Sequence, residues 1–204
     1  MAIPARVGAT LTLEEFLRTP GIDERPYKEF IDGRVIAKMS PQKKHGRLGK
    51  RLMGHVDTFA TPRGLGETFP ELRCTFAGRS IIPDVAFLLA EHIDVDEEGE
   101  VLDPTLRPPD IHVEIVSPDQ SAKKSQEKIV FSGSHVCLIG WLIDPIRRTV
   151  QVHRPGLPPE DLPVDGVLVG DPVLPGYRLA VSELFGWLKA RRDPEPPVEG
   201  GPAR

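Results

Sequence analysis

Two apolar, strand-like runs each carry an acid: "SIIPDVAFLLA" holds Asp84 and "IHVEIVSP" holds Glu114. A bare carboxylate costs several kcal/mol to bury, so each of these must be neutralised, ion-paired or given a metal. Alternate residues of a strand share a face. Asp84 therefore lies with Ala86 and Leu88, and Glu114 with His112 and Val116. If the two strands are neighbours in register, the acids converge, and converging carboxylates raise one another's pKa unless a cation sits between them.

The rest of the chain supplies a frame for that pair. "LTLEEFL" predicts a short helix, with Thr12 as N-cap and Glu15 completing a capping box. In "YKEFIDGRVIAKMS", Asp32-Gly33 between apolar runs predicts a hairpin. In "HGRLGKRLMGHVDTFA", His45, Leu48, Leu52, Val56 and Phe59 recur at helical spacing. "ELRCTFAG" and "SIIPDVAFLLA" read as two strands, and residues 91–109 as an acidic, exposed loop. A helix over "QSAKKSQEKIVFS" follows Glu114. The runs "VCLIGWLIDP" and "RTVQVHRP" then pair across a turn, and short strands with a helix from Ser182 close the chain. Ile111 to Ile143 is thus a strand-helix-strand passage, the pattern of a parallel crossover. The expected fold is α/β, an α+β mixed sheet with flanking helices and an N-terminal hairpin. A single domain is expected over residues 1–190. The Pro- and Gly-rich residues 191–204 have the composition of a disordered tail.

Composition narrows the function classes. No apolar run approaches the roughly 20 residues of a membrane span, and no secretory signal is visible at the N-terminus. Cys74 and Cys137 are too few for a disulfide framework or a zinc site, so a reducing cytoplasm is the expected home. A net charge of -4 argues against a protein coated in positive charge. It leaves room for a local basic groove. Lys43, Lys44, Arg47, Lys50 and Arg51 gather at the start of the second helix, where outward-pointing N–H groups favour phosphate. The alternative for this cluster is a solvated face.

A pair of carboxylates with water suits Mg²⁺ or Mn²⁺, which can polarise a phosphate oxygen and lower the pKa of an attacking water. Lys124 and Lys128 share a face of the downstream helix, and a lysine there can orient that water. Plainer readings stand beside these. The lysine pair can be an ordinary wet helix face, Glu114 can pair with Arg73 or Arg79, and His45 can be a half-buried, hydrogen-bonded histidine.

"YKEFIDGRVIAKMSP", "HGRLGKRL", "PDVAF", "VEIVSP", "EKIVF", "WLIDP", "RTVQVHRP" and "DPVLPGYRLAVSELF", in that order over Leu11 to Leu188, resemble the Uma-two family of putative restriction endonucleases, within the PD-(D/E)xK nuclease superfamily. The resemblance implies a restriction-endonuclease-like core and metal-dependent phosphodiester hydrolysis. It matches Asp84 to the motif's Asp and Glu114 to its second acid. The usual Lys position, two residues on, is Val116, and the family's lysine matches Lys128 in the Glu127-Lys128 pair. Glu29 and His45 match positions that complete the site. Ser132, Val136 and Lys124 depart from the family's usual Tyr, Gly and Asp.

The resulting expectation is an Mg²⁺- or Mn²⁺-dependent DNA endonuclease. Asp84 and Glu114 hold the metal, with the carbonyl of Ile115 as an added ligand. Lys128 positions the water, Glu29 and His45 assist, and Lys43, Lys44, Arg47 and Arg51 contact phosphates. Double-strand cutting would suit a homodimer paired through exposed strand edges. The rival expectations are a nuclease-like fold kept as an interaction module, and a structural domain whose acids are simply ion-paired.

Overall fold

The computed structural model of this protein describes residues 11–39, 42–117 and 121–190. The chain begins with α1 (Leu13–Leu17), β1 (Lys28–Ile31), β2 (Arg34–Ala37) and α2 (Lys43–Ala60). It continues through β3 (Gly66–Pro70), β4 (Cys74–Phe76), β5 (Arg79–Ile81), β6 (Val85–Leu89), β7 (Ile111–Ile115), α3 (Ala122–Gly133) and β8 (Ile139–Asp144). It closes with β9 (Thr149–His153), β10 (Glu160–Leu162), β11 (Val167–Val169), β12 (Arg178–Ala180) and α4 (Val181–Gly186). A six-stranded sheet runs in the order β10-β9-β8-β7-β6-β3, a four-stranded sheet in the order β2-β1-β5-β4, and β11 pairs with β12. Only β7 and β8 are parallel in the large sheet, joined through α3 as the crossover pattern requires. The fold is the mixed α/β arrangement expected.

Local chemistry explains the early elements. The Thr12 hydroxyl accepts the Glu15 N–H, and the Glu15 carboxylate accepts the Thr12 N–H, so α1 starts on a full capping box. Asp32 and Gly33 both take positive φ, 50° and 76°, the conformation of a tight hairpin turn. The tail expected from Arg191 lies outside the described residues.

"SIIPDVAFLLA" is not one strand, as expected above, but two strands belonging to two sheets. β5 pairs with β1 and β4, and β6 with β3 and β7. The break falls at Ile82-Pro83-Asp84, because a proline has no N–H to continue a ladder. Two further strands, β3 and β10, were not foreseen. Both are short edges of the six-stranded sheet, and β10 carries two acids in three residues, a composition that discourages edge pairing.

One face of the six-stranded sheet carries the main core. Ile111, Val113, Ile115, Trp141 and Ile143 pack there against Leu48, Leu52 and Val56 of α2 and against Tyr177, Leu184 and Phe185 near the C-terminus. The opposite face is covered by α3, through Ile129 against Val116 and Leu142. No helix among the described residues is long and apolar enough to cross a membrane.

The approach of α3 to the sheet depends on a missing side chain. A Cβ at Gly140 would lie 2.1 Å from Cγ2 of Ile129. Gly140→Ala should therefore cost about 1–3 kcal/mol of stability by overpacking, measurable by urea denaturation, and Gly140→Val should cost more.

Candidate active site

The register of β6 and β7 aligns Val85 with Val113. One step further sets Asp84 opposite Glu114, both on the face covered by α3. Asp84 is at the joint between the two sheets, immediately before β6, and Glu114 is the next-to-last residue of β7. Both are almost wholly buried, at 8% and 2% exposure, and so is Glu29, at 5%.

Each acid has a basic partner, and none of these is Arg73 or Arg79. Arg73 pairs with Asp23, and Arg79 with Asp32. Glu114 Oε1 instead accepts from Lys128 Nζ at 2.8 Å and lies 2.9 Å from His112 Nε2. Lys128 also donates to Glu29 Oε1 at 3.0 Å. Asp84 Oδ1 accepts from Lys38 Nζ at 2.7 Å and lies 3.4 Å from His45 Nε2, while its Oδ2 accepts the Ile115 N–H at 2.7 Å.

The interrupted backbone at Ile82 is drawn into the same cluster. Its N–H donates to Glu29 Oε1 at 2.7 Å, and its carbonyl accepts from Lys38 at 2.7 Å. Groups that a continuous strand would have paired in a ladder are thus satisfied by charged side chains.

These contacts set the charge states. Burial pushes the Asp84 carboxyl up, but Lys38, His45 and Lys128 overcome it and hold the group well below the usual carboxylate range. Burial and the neighbouring Asp84 also raise Glu114, while Lys128 and the His112 hydrogen bond bring it below its ordinary value. Burial alone would lower Lys128, yet Glu114, Glu29 and Asp84 push it upward, so it stays an ammonium. His112 is lowered chiefly by burial, which favours its neutral form.

Asp84, Glu114, Lys128, Glu29 and His45 thus meet at one place, at the C-terminal end of β7. The four α2 residues expected to contact phosphates, Lys43, Lys44, Arg47 and Arg51, do not share that placement. At about 100° per residue, Arg47 and Arg51 fall on the side of α2 turned away from His45. Arg47 donates to the backbone carbonyl oxygens of Trp187 and Lys189, and with Arg51 and His55 it lines a separate hollow beside Trp187. Lys43 and Lys44 are exposed on the first turn of α2. Lys124 is exposed one turn before Lys128 and lines the hollow over the acids, but of the two lysines only Lys128 is ion-paired with them among the described residues.

Sequence reasoning missed Lys38 and His112. Lys38 is 8% exposed although it follows an outward-facing hairpin strand. Its one signal was a lysine ending that strand, with its N–H extending the ladder to the Tyr27 carbonyl. His112 was visible as sharing the face of Glu114. Its Nδ1 lies 2.7 Å from the Ser132 hydroxyl, so the imidazole bridges α3 to the acid.

An open groove of about 870 Å³ between the hairpin and α3 borders Glu29 and Lys128, and a smaller hollow of about 160 Å³ lies over Asp84, Glu114 and Lys38. Among the described residues no set of three or more His, Cys, Asp or Glu side chains is arranged to hold a metal.

The lysines carry a testable consequence. Lys128→Met should destabilise the protein by about 3–5 kcal/mol at pH 7, since it leaves a buried carboxylate unpaired. The double variant with Glu114→Gln should recover part of the loss. The acids also set a pH dependence. A carboxylate with a depressed folded pKa contributes stability above its unfolded pKa, lost as pH falls through the folded value. The wild-type protein should lose stability below about pH 4. Lys38→Met, which brings the folded pKa of Asp84 back toward its unfolded value, should lower stability at pH 7 and make the loss on acidification smaller. Urea midpoints from pH 3 to 8 measure both.

The Uma2 family model, described as putative restriction endonuclease, matches residues 13–182. The crystal structure of a putative nuclease belonging to DUF820 from Anabaena variabilis ATCC 29413 aligns with a TM-score of 0.83 at 35% identity, covering 87% of this chain and 99% of that one. No curated protein matches the chain.

Proposed function

The chain belongs to the Uma2 family of putative restriction endonucleases, and from that premise we propose that it is a metal-dependent endonuclease that hydrolyses phosphodiester bonds in DNA. The observation that carries the reading is the convergence of Asp84 and Glu114 across β6 and β7, with Lys128 joining Glu114 to Glu29.

The donor set fits a hard divalent cation. Asp84 and Glu114 supply carboxylate oxygens, and Glu114 Oε2 makes no hydrogen bond among the described residues. Two carboxylates rather than three or more suit Mg²⁺ or Mn²⁺, which keep several waters. When bound, such an ion polarises a phosphate oxygen and acidifies a water. Lys128 is held protonated by three acids, so its role is that of a fixed cation that orients the water and offsets charge on the phosphoryl oxygens, not that of a base. Glu29 holds Lys128 in place, and Lys38 and His45 hold Asp84.

Supercoiled plasmid with Mn²⁺ tests the reading. Cleavage should vanish in EDTA and return on adding Mn²⁺. Asp84→Ala, Glu114→Gln and Lys128→Met should each lower the rate by about 10²–10³-fold or more, with folding checked by circular dichroism. Activity surviving both acid substitutions would overturn the assignment. No cleavage with any divalent ion would favour an interaction module instead, a reading supported by the pairing of each acid with a lysine.

A further inference from the structure

The groove between the β1–β2 hairpin and α3 has a character unlike the rest of the surface. Ile36, Val130 and Phe131 give it an apolar floor. Along its wall, lysines and arginines outnumber acids five to three, in a chain whose net charge is -4. Much of that charge is already paired, Arg79 with Asp32 and Lys128 with Glu29. Arg34 and Lys124 are exposed, flank the groove and form no ion pair among the described residues. The Arg79 guanidinium lies over the Phe131 ring, 4.0 Å from its centroid, and Phe131 is stacked on Phe76 at 5.0 Å.

Apolar surface flanked by free cations, with the partly exposed Arg79 guanidinium stacked on Phe131, matches an unpaired nucleic-acid strand. Its phosphates need cations, and its exposed base faces stack on aromatic rings and guanidinium planes. A duplex hides those faces within its own stack. Because Glu29 and Lys128 line both this groove and the hollow over the acids, a strand lying in it would lead directly to the scissile phosphate.

We propose that this groove receives a short stretch of unpaired nucleic-acid strand adjoining the scissile phosphate, so that the protein acts on single-stranded or locally opened substrate. The proposal rests on the nuclease reading for the place of that phosphate, but strand binding itself needs no cleavage.

Fluorescence anisotropy of the full chain in EDTA tests it, with fluorescein-labelled single strands and a duplex of the same length. The single strand should bind about tenfold or more tightly than the duplex. Arg34→Glu with Lys124→Glu should weaken single-strand binding by about tenfold and flatten the slope of log K against log salt by about 1.4, for two lost phosphate contacts. Arg147→Glu with Arg178→Glu, equal in charge but lining neither the groove nor the hollow over the acids, should do neither. Deoxyribose and ribose strands run in parallel decide which sugar the groove prefers. Equal or tighter duplex binding, or a groove variant that behaves like the control, overturns the proposal. Strand binding by the groove without cleavage in Mn²⁺ would overturn the nuclease reading alone.

Discussion

Three carboxylates and two ammonium groups share one small, largely buried volume at the end of β7, and the surrounding elements depend on their mutual attraction. Glu29 comes from the hairpin, Lys38 from the residue just beyond it, Asp84 from the joint between the sheets, Glu114 from the central strand and Lys128 from the crossover helix. Any one of these charges alone would be too costly to bury. Together they fasten the four-stranded sheet to the six-stranded sheet and α3 to both. His45 brings the start of α2 to the same point from the other face. An apolar cluster here would do the same fastening more cheaply, since buried ion pairs are often replaceable by well-packed hydrophobic residues without loss of stability. Their presence is therefore better explained by chemistry than by architecture.

The part of this arrangement that could be read from the sequence was the part written in short-range patterns. Alternation placed Glu114 with His112, the Asp-Gly turn fixed the hairpin, and apolar periodicity set the buried face of α2 with His45 at its edge. The crossover between β7 and β8 followed from a strand, a helix and a strand in series. What escaped was set by tertiary contacts. Lys38 looks like any solvated lysine until Asp84 and the Ile82 carbonyl are brought beside it across 44 and 46 residues of sequence. Pro83 was plain to see, but an apolar run on both sides of it concealed that the chain was changing sheets. The basic cluster of α2 was correctly seen as a cluster. Its orientation was not visible, because only the packing of α4 shows that Arg47 is spent on backbone carbonyls.

Ser132 and Val116 have defined places in this setting. The Ser132 hydroxyl meets His112, which in turn meets Glu114. A small hydroxyl at that position leaves room for an imidazole as the intermediate link. Val116, two residues after Glu114 on the same face, is buried against Ile129 and Leu142. An ammonium there would sit in an apolar pocket beneath α3. The lysine that does reach Glu114 comes instead from α3, one turn of helix beyond the exposed Lys124.

The joint at Ile82-Pro83-Asp84 also governs how such a chain can vary in length. A residue inserted there would displace Asp84 from Glu114, Lys38 and the Ile115 N–H together, because the register of β5 on one side and β6 on the other is already fixed. Residues 91–109 join β6 to β7 at the end of those strands remote from the acids, through mostly exposed chain. Insertions are tolerated in surface connections of that kind. Size variation within this architecture therefore belongs to the far end of the β6–β7 connection, and the near end keeps its count of residues.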